Sequence, residues 1–460
     1  AISGIVDVKT RDLSCESIHG SFKTDLVDTN AYICIPVGDW KLAFAGRRSY
    51  VDAILPFALD AIPRDEDEGT STIVPVYWDY QFKANRKVGR HTFDVFSFGS
   101  KDRFKLIQSE SEENSAFNFG LQIEQHRLVL RHRLRLNSKT TISSSVAPKL
   151  FKTIFRQESE ELGLDTGFKL TVLGLDIKAL VETQVLDWLT LAAGVDVDLG
   201  EATVNLSFPI PTELKRYPSP TFDFTNTKPF DEVAPFFSHG YWTELIVQAG
   251  EKIKLIPGLR LQRFDVGAFQ AFSVQPRITG RWEVTDDTVL KAAFGIYDKA
   301  PEPRFASTRT GNPNLLPLRA QQYVLGFEQN FTELLQLDLQ LFFNKRYHLP
   351  TTSNNVTYEN GQTKYEWYNS DGSGRAFGLE LLLRYLPEPN GWGYGWVSYT
   401  LSQSTVRDRR RDFSNPGNRR GGGGPQSQGQ DELETYLSNF DQPHILTVVG
   451  QFDLPWSLEL

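Results

Sequence analysis

The side chains that perform catalysis or bind metals in other proteins are scattered through this sequence. Seven histidines lie between His19 and His444, and none of them forms a His-x-x-x-His pattern or accompanies a Cys-x-x-Cys pattern. The four glycines at 421–424 are not followed by Lys-Ser or Lys-Thr, so they do not form a phosphate-binding loop. No Gly-x-Ser-x-Gly elbow occurs in a suitable strand-to-helix context. We therefore predict no catalytic residue, no metal site and no cofactor, and we expect that the protein is not an enzyme.

Arginines that alternate with leucines form the clearest candidate binding surface. Around Leu128 and Leu130 the two residue types take alternate positions, so a strand would place them on opposite faces. If one face of a sheet contacts membrane lipid, an arginine on that face costs roughly 2–4 kcal/mol at the middle of the bilayer. In such a sheet these arginines would lie on the face directed away from lipid. The residues predicted to face inward are Arg47, Arg131, Arg133, Arg135, Glu380 and Arg384. They suit an anionic ligand, and an internal ion-pair network is the alternative.

Such a surface needs elements that hold alternate side chains on opposite sides. In residues 288–347, apolar side chains alternate with polar or small ones in the runs 290–297, 321–329 and 337–344, which predicts three strands. A short turn joins the second run to the third, whereas a long polar loop separates the first two. Short turns at one end and long loops at the other are typical of outer-membrane barrels. The whole chain is predicted to contain about 18 or 19 strands.

Several local features depart from regular alternation. The apolar phase slips by one residue before Leu128, which predicts a bulge or a turn at residues 124–127. Residues 51–59 are apolar enough for a short helix, and two strands are predicted to join near Asp28. Four polar stretches are predicted as loops: residues 101–115, 209–235, 350–364 and 407–437.

Composition excludes some functions and leaves others open. The net charge of −8 argues against nucleic-acid binding, which requires a basic face. No run of about 18 apolar residues is present, so no transmembrane helix is predicted; barrel strands need only about 9–11 residues. Aromatic residues such as Trp40, Trp188 and Trp396 follow predicted turns, as they do in the interfacial girdles of membrane barrels. Ordinary aromatic packing in a soluble sandwich is the alternative.

Two cysteines, Cys15 and Cys34, are too few for a disulfide scaffold. They could form one bridge in an oxidising compartment or remain two unpaired thiols, and the sequence leaves both possibilities open. No signal peptide is visible at Ala1, so we expect a mature or truncated chain.

Several segments carry a family resemblance. Residues 311–317, Gly-Asn-Pro-Asn-Leu-Leu-Pro, resemble a segment of TonB-dependent outer-membrane receptors, although Leu318 replaces the acidic residue usual there. Residues 2–11 resemble the last strand of the plug domain in that family. Residues 369–380 and 441–444 are similar to the beginnings of two of its barrel strands. For the Gly-Asn-Pro segment alone, a plain turn is the alternative.

The resemblance implies an all-β fold: a transmembrane antiparallel β-barrel of the 22-stranded type. Against that number, three or four C-terminal strands would be missing, either because the chain is truncated or because another chain supplies them. It implies that residues 1–12 end the plug domain and that residues 13–460 form the barrel. It places the protein in the outer membrane of a Gram-negative bacterium, in contact with outer-membrane lipid and with a TonB-type energy-coupling complex. The inward residues would then contact the plug or a ligand.

Two functions remain in competition. The leading hypothesis is a receptor that binds and imports a scarce solute with energy supplied from the inner membrane. The alternative is a non-transporting outer-membrane barrel that scaffolds or binds another outer-membrane protein or a lipoprotein. A barrel enzyme would need clustered Asp/His or Ser/His residues at the outer rim, and the sequence shows no such cluster.

Overall fold

The structure is a computed structural model, and the residues that it describes form twenty β-strands. These residues are 10, 13–51, 53–54, 71–108, 117–159, 164–207, 230–306, 311–359, 362–387, 393–408, 433–454 and 458–459. They fall into two compact units. The N-terminal unit comprises the described residues up to Val181 together with Gly194–His239, and the C-terminal unit comprises Glu182–Ala193 and the described residues from Gly240 onward.

Strands of the N-terminal unit are antiparallel neighbours in chain order, and each strand from β1 to β6 pairs with the next. Their bounds are β1 (His19–Thr24), β2 (Asp28–Val37), β3 (Trp40–Ser49), β4 (Ser71–Val88), β5 (His91–Gln108), β6 (Phe117–Arg135) and β7 (Thr140–Ser159). The next three strands contribute residues to both units: β8 (Leu164–Leu186), β9 (Leu189–Ser207) and β10 (Phe230–Ala249).

The C-terminal unit repeats this arrangement, with β11 to β17 paired in chain order. Its elements are β11 (Ile253–Val266), β12 (Phe269–Glu283), β13 (Thr288–Lys299), the helical turn α1 (Pro303–Ala306), β14 (Leu318–Asn330), β15 (Leu335–Glu359), β16 (Gln362–Tyr385), β17 (Gly393–Asp408), β18 (Glu434–Leu437), β19 (His444–Leu454) and β20 (Leu458–Glu459). Both β18 and β19 pair with β17, so they form one interrupted strand, and β20 pairs with β19. No helix among the described residues is long and apolar enough to cross a membrane.

Alternation gives each unit an apolar face and a polar face. On the apolar face of the N-terminal unit, Val95 lies opposite Leu130, which lies opposite Val146. On that of the C-terminal unit, Leu325 lies opposite Leu341, and these two side chains are 61% and 51% exposed. Apolar side chains arrayed this openly on one face of a sheet require an apolar environment to cover them. The predicted all-β, membrane-barrel type of fold is therefore confirmed in its strand architecture.

A disulfide fixes the beginning of the N-terminal unit. Cys15 and Cys34 are bonded, with their Cα atoms 6.1 Å apart, and both side chains are almost fully buried against Leu13 and Ala43. The bridge joins the segment before β1 to β2. Of the two possibilities that the sequence left open, the structure shows the bridge.

The expected bulge at residues 124–127 is wrong. β6 keeps one register with β5 from Phe117 to Leu134. Within β6 the apolar side chains change from one face of the sheet to the other, but the hydrogen-bonding register with β5 stays constant. N-terminal to the slip, Phe119 lies on the same face of the sheet as the predicted arginines of β6. Its ring packs edge-on against the Phe155 ring, with the ring centroids 5.2 Å apart.

The expected loops are also too long. β5 continues to Gln108, β15 and β16 pair as far as Glu359 and Gln362, and β10 begins at Phe230. Backbone ladders continue through polar sequence because their hydrogen bonds do not depend on apolar side chains. The remaining parts of the expected loops at 109–115, 209–229 and 409–432 lie outside the described residues.

Other turns agree more closely with expectation. Gly38, Gly89 and Gly267 have φ values of 57°, 59° and 58°, which glycine adopts without strain. Gly267 lies in the turn between β11 and β12, and the join expected near Asp28 lies at residues 25–27. Of the helix expected at residues 51–59, positions 51, 53 and 54 are helical and the rest lies outside the described residues.

Candidate functional site

Three predicted arginines form a row on the polar face of β6. Arg131, Arg133 and Arg135 are exposed, at alternate positions, and lie opposite Ser145, Ser143 and Thr141 of β7. Among the described residues, none of the three has an ion-pair partner. A row of unpaired guanidinium groups on one face can bind carboxylate or phosphate groups.

The fourth predicted arginine, Arg47 of β3, already has partners. Its guanidinium lies 2.7 Å from Asp79 Oδ2 and 4.9 Å from the centre of the Tyr77 ring. The Tyr77 hydroxyl donates to Asp28 Oδ2 at 2.7 Å. Arg47 is thus held by an acidic and aromatic cluster that the sequence alone did not indicate.

Glu380 and Arg384 lie on one face of β16 in the C-terminal unit, opposite Gln340 and Gln336 of β15. Both are exposed, and neither has a partner among the described residues. Four of the six predicted residues therefore belong to the N-terminal unit and two to the C-terminal unit.

A charged network on the polar face of the N-terminal unit was missed by sequence reasoning. Asp176 of β8 accepts from Arg127 Nη2 and from Lys149 Nζ, the latter at 2.9 Å, and Lys149 Nζ also donates to Asp198 Oδ1 at 2.6 Å. Gly174 leaves room for this arrangement, because a Cβ there would lie 2.8 Å from Lys149 Cε. Two cations and two carboxylates from four strands thus balance in charge.

The C-terminal unit has a second such network near its short turns. Glu328 of β14 accepts from Lys291 Nζ and from Arg281 Nη1, the latter at 2.9 Å, and Lys291 Nζ also donates to Asp338 Oδ2 at 3.3 Å. Lys291 and Asp338 belong to the alternating runs from which the sequence predicted strands. Their meeting depends on the register of β13, β14 and β15, which the alternation itself does not fix.

The Gly-Asn-Pro segment (residues 311–317) is held against neighbouring strands. Asn312 is 7% exposed, and its Nδ2 donates to the Tyr368 carbonyl at 2.9 Å while its Oδ1 accepts from the Asn314 N–H at 2.9 Å. The Leu316 N–H donates to Ser370 Oγ at 2.8 Å. These contacts give the motif an anchoring role beyond that of a plain turn.

Backbone groups also order the turn between β1 and β2. Asp25 Oδ1 accepts from the N–H groups of Asp28 and Val27 at 3.0 and 2.9 Å. Because these donors favour the ionised carboxylate, they hold the pKa of Asp25 below its ordinary value.

The register brings two scattered histidines together. His91 Nδ1 and His132 Nε2 are 2.9 Å apart, and the rings stack with centroids 5.2 Å apart. Two imidazoles alone do not make up a metal site. Within the described parts of the chain, no group of three His, Cys, Asp or Glu side chains could hold a metal ion.

Comparison with known proteins agrees with this geometry. A family model described as TonB dependent receptor-like, beta-barrel matches residues 38–451. A search of curated protein sequences found no match.

Among solved structures, the chain is similar to the alcaligin outer-membrane receptor FauA from Bordetella pertussis, at 11% identity and a TM-score of 0.58, over 95% of this chain and 65% of that one. It is also similar to the siderophore receptor PirA from Pseudomonas aeruginosa, at 14% identity and a TM-score of 0.53, over 83% and 64%. The copper transporter OprC matches at 14% identity and a TM-score of 0.59, over 85% and 64%. The chain spans less than two thirds of each structure, and at these identities the similarity concerns the fold alone.

Proposed function

The chain belongs to the TonB-dependent receptor-like β-barrel family, and from this membership we propose that it is an outer-membrane receptor that binds and imports a scarce solute. The match over residues 38–451 is the observation that carries the proposal. Energy for import would come from the inner membrane through a TonB-type complex. Residues 1–12 would end a plug domain, and residues 13–460 would form the barrel.

The distribution of exposed side chains supports a membrane location. Leu325 and Leu341 are more than half exposed, whereas the polar faces carry the ion-pair networks of Asp176 and Glu328. Lipid against the apolar faces would cover the exposed leucines, and water or a plug domain against the polar faces would meet the charges. The reverse arrangement would place arginine and lysine in hydrocarbon.

The unpaired arginines suggest what the polar face binds. Arg131, Arg133 and Arg135 of the N-terminal unit would contact an anionic solute or acidic groups of the plug. Glu380 and Arg384 of the C-terminal unit would make contacts of the same kind from β16. PirA and FauA are named as receptors for siderophores or alcaligin. A negatively charged metal chelate is therefore the class of solute that we propose.

Uptake measurements test this proposal. Cells that produce the full-length protein are given radioactive iron bound to hydroxamate or catecholate siderophores, with and without a functional TonB protein. We expect TonB-dependent uptake of at least one chelate. The triple variant Arg131→Gln/Arg133→Gln/Arg135→Gln should reduce this uptake, whereas the matched triple lysine variant, which keeps the charge, should retain most of it.

Two results would refute the proposal. If the protein did not fractionate with the outer membrane, both its location and its function would be wrong. If it did fractionate there but no chelate entered in a TonB-dependent manner, the alternative barrel that binds a protein or lipoprotein partner would be favoured.

A further inference from the structure

The apolar face of the N-terminal unit carries an ordered series of residue types along β4, β5 and β6. At the end near the short turns, the Arg86 guanidinium lies 5.7 Å from the Trp40 ring centre. The middle is the belt of Phe82, Val95 and Leu130. Polarity therefore changes along the strand direction within one face, and not only between faces.

Aromatic residues mark the far end of this belt. Trp78 and Tyr80 stack at 6.1 Å, and Tyr80 stacks on His126 at 5.9 Å, with the Tyr80 hydroxyl 3.2 Å from His126 Nδ1. From His91 to Lys101, β5 advances about ten residues, or roughly 33 Å. A strand tilt of about 40° reduces this to about 25 Å, the height of the apolar band in outer-membrane barrels.

A row of cations on the same face begins at Lys101, which lies opposite Trp78, and continues past the aromatic residues. Lys101 of β5 and Lys152 of β7 both lie opposite Glu124 of β6. Lys101 Nζ is 3.9 Å from Glu124 Oε2, which leaves Lys152 without an ion-pair partner among the described residues. Arg103 and Arg156 extend the row on the same face, are exposed, and likewise have no such partner there.

Among the side chains that the structure describes there, these four cations accompany one carboxylate, Glu124, on the side opposite to the arginines proposed to bind the solute. An imported solute on the polar face cannot reach them, because they project from the other side of the same strands. Positive charge at the end of an apolar belt bordered by aromatic residues matches the arrangement of groups in a lipid, whose phosphorylated headgroup lies next to its acyl chains.

The end of the strands at which the row lies identifies the membrane leaflet. The row is distant from the short turns at Gly38 and Gly89, which in outer-membrane barrels face the periplasm. The cations would thus meet the outer leaflet. A protein partner would not require the continuous apolar belt below them.

We propose that Lys101, Arg103, Lys152 and Arg156 form a binding surface for the phosphate groups of a phosphorylated glycolipid of the outer leaflet, with its acyl chains against the apolar belt. This inference rests on the outer-membrane location proposed above. It does not depend on which solute is imported, or on whether any solute is imported.

Binding of bis-phosphorylated lipid A to the purified, folded protein in detergent tests the inference, by titration in native mass spectrometry. The variant Lys101→Gln/Arg103→Gln/Lys152→Gln/Arg156→Gln should weaken binding on the order of a hundredfold, since each surface cation adds to the attraction for anionic lipid. A variant that exchanges Lys and Arg at the same four positions should bind lipid A with an affinity within about threefold of that of the unchanged protein.

A matched control removes a cation from the other face. Lys178, two residues from Asp176 on β8, is exposed, and Lys178→Gln should leave lipid A binding unchanged. Heat-dependent migration in gels verifies that every variant is folded.

Further measurements can support or overturn the proposal that these cations bind lipid phosphate. Dephosphorylated lipid A should bind the unchanged protein as weakly as lipid A binds the glutamine variant; equal binding of both lipids would show that the cations do not recognise phosphate. Displacement of lipid A by millimolar inorganic phosphate would indicate a site for a small anion and would overturn the lipid assignment. Loss of solute uptake in the glutamine variant with unchanged lipid binding would also contradict it. Failure of fractionation with the outer membrane would refute the location, and not the binding chemistry measured in detergent.

Discussion

Asp176→Asn should destabilise the N-terminal unit because Asp176 is the carboxylate shared by both cations of its network. Its side chain is 14% exposed, and it accepts from Arg127 and from Lys149. The substitution keeps the shape of the side chain and removes its charge. Lys149 would retain Asp198, whereas Arg127 would keep no carboxylate partner among the described residues.

The magnitude lies between two limits. Exposed ion pairs are worth roughly 0–1 kcal/mol, and breaking a buried pair costs roughly 3–5 kcal/mol. Arg127 is 38% exposed and Lys149 is 23% exposed, so water screens both pairs in part. We expect a loss of about 2 kcal/mol in the free energy of unfolding.

Denaturant unfolding of the protein in detergent micelles measures this loss. Asp286→Asn is the matched control, because Asp286 is 99% exposed and its carboxylate lies 3.8 Å from Lys252, so its loss should stay below about 0.5 kcal/mol. A double-mutant cycle with Lys149→Met should give a coupling energy of about 1 kcal/mol. Equal stability of Asp176→Asn and Asp286→Asn would refute the reasoning that the network holds the wall together.

Four smaller perturbations test other parts of the structure. Replacing both Cys15 and Cys34 by serine should cost about 3 kcal/mol of unfolding free energy, because the bridge closes a 19-residue separation; an unchanged denaturation midpoint under oxidising conditions would contradict the bridge. Gly89→Ala should cost about 1 kcal/mol through its φ of 59° alone, since a Cβ there meets open space, and a neutral result in the same assay would contradict the turn. Asn312→Ala removes two side-chain hydrogen bonds and should make the Gly-Asn-Pro segment more sensitive to limited proteolysis, with no change expected if the motif were a plain turn. The lowered pKa of Asp25 contributes stability above the ordinary carboxyl pKa, which is lost as pH falls through the lowered value; Asp25→Asn should abolish this part of the acid dependence, and identical acid profiles would contradict it.

Much of the fold follows from local sequence patterns. Glycines at 38 and 89 mark turns because only glycine adopts positive φ at low cost, and the flanking residues alternate because strands have a period of two. The assignment of Glu380 and Arg384 to the face opposite Leu379 and Leu381 follows from that period alone, and the pairing of β15 with β16 agrees with it.

Strand length and cross-strand partners could not be obtained in this way. Polar residues such as those near Gln108 and Glu359 carry no apolar signal, yet their backbones continue the ladder. The slip before Leu128 suggested a bulge because a change of apolar side looks the same in sequence as a change of register. Only pairing with β5 shows that the register is constant.

The sequence by itself determined that the chain forms strands with one apolar and one polar face, where several turns lie and to which family the chain belongs. Each of these depends on residues that are close together in the sequence. The tertiary structure decided which distant side chains meet. Cys15 with Cys34, His91 with His132, and Lys149 with Asp198 come together through strand register. Register is a property of backbone ladders summed over whole strands, and no single side chain encodes it.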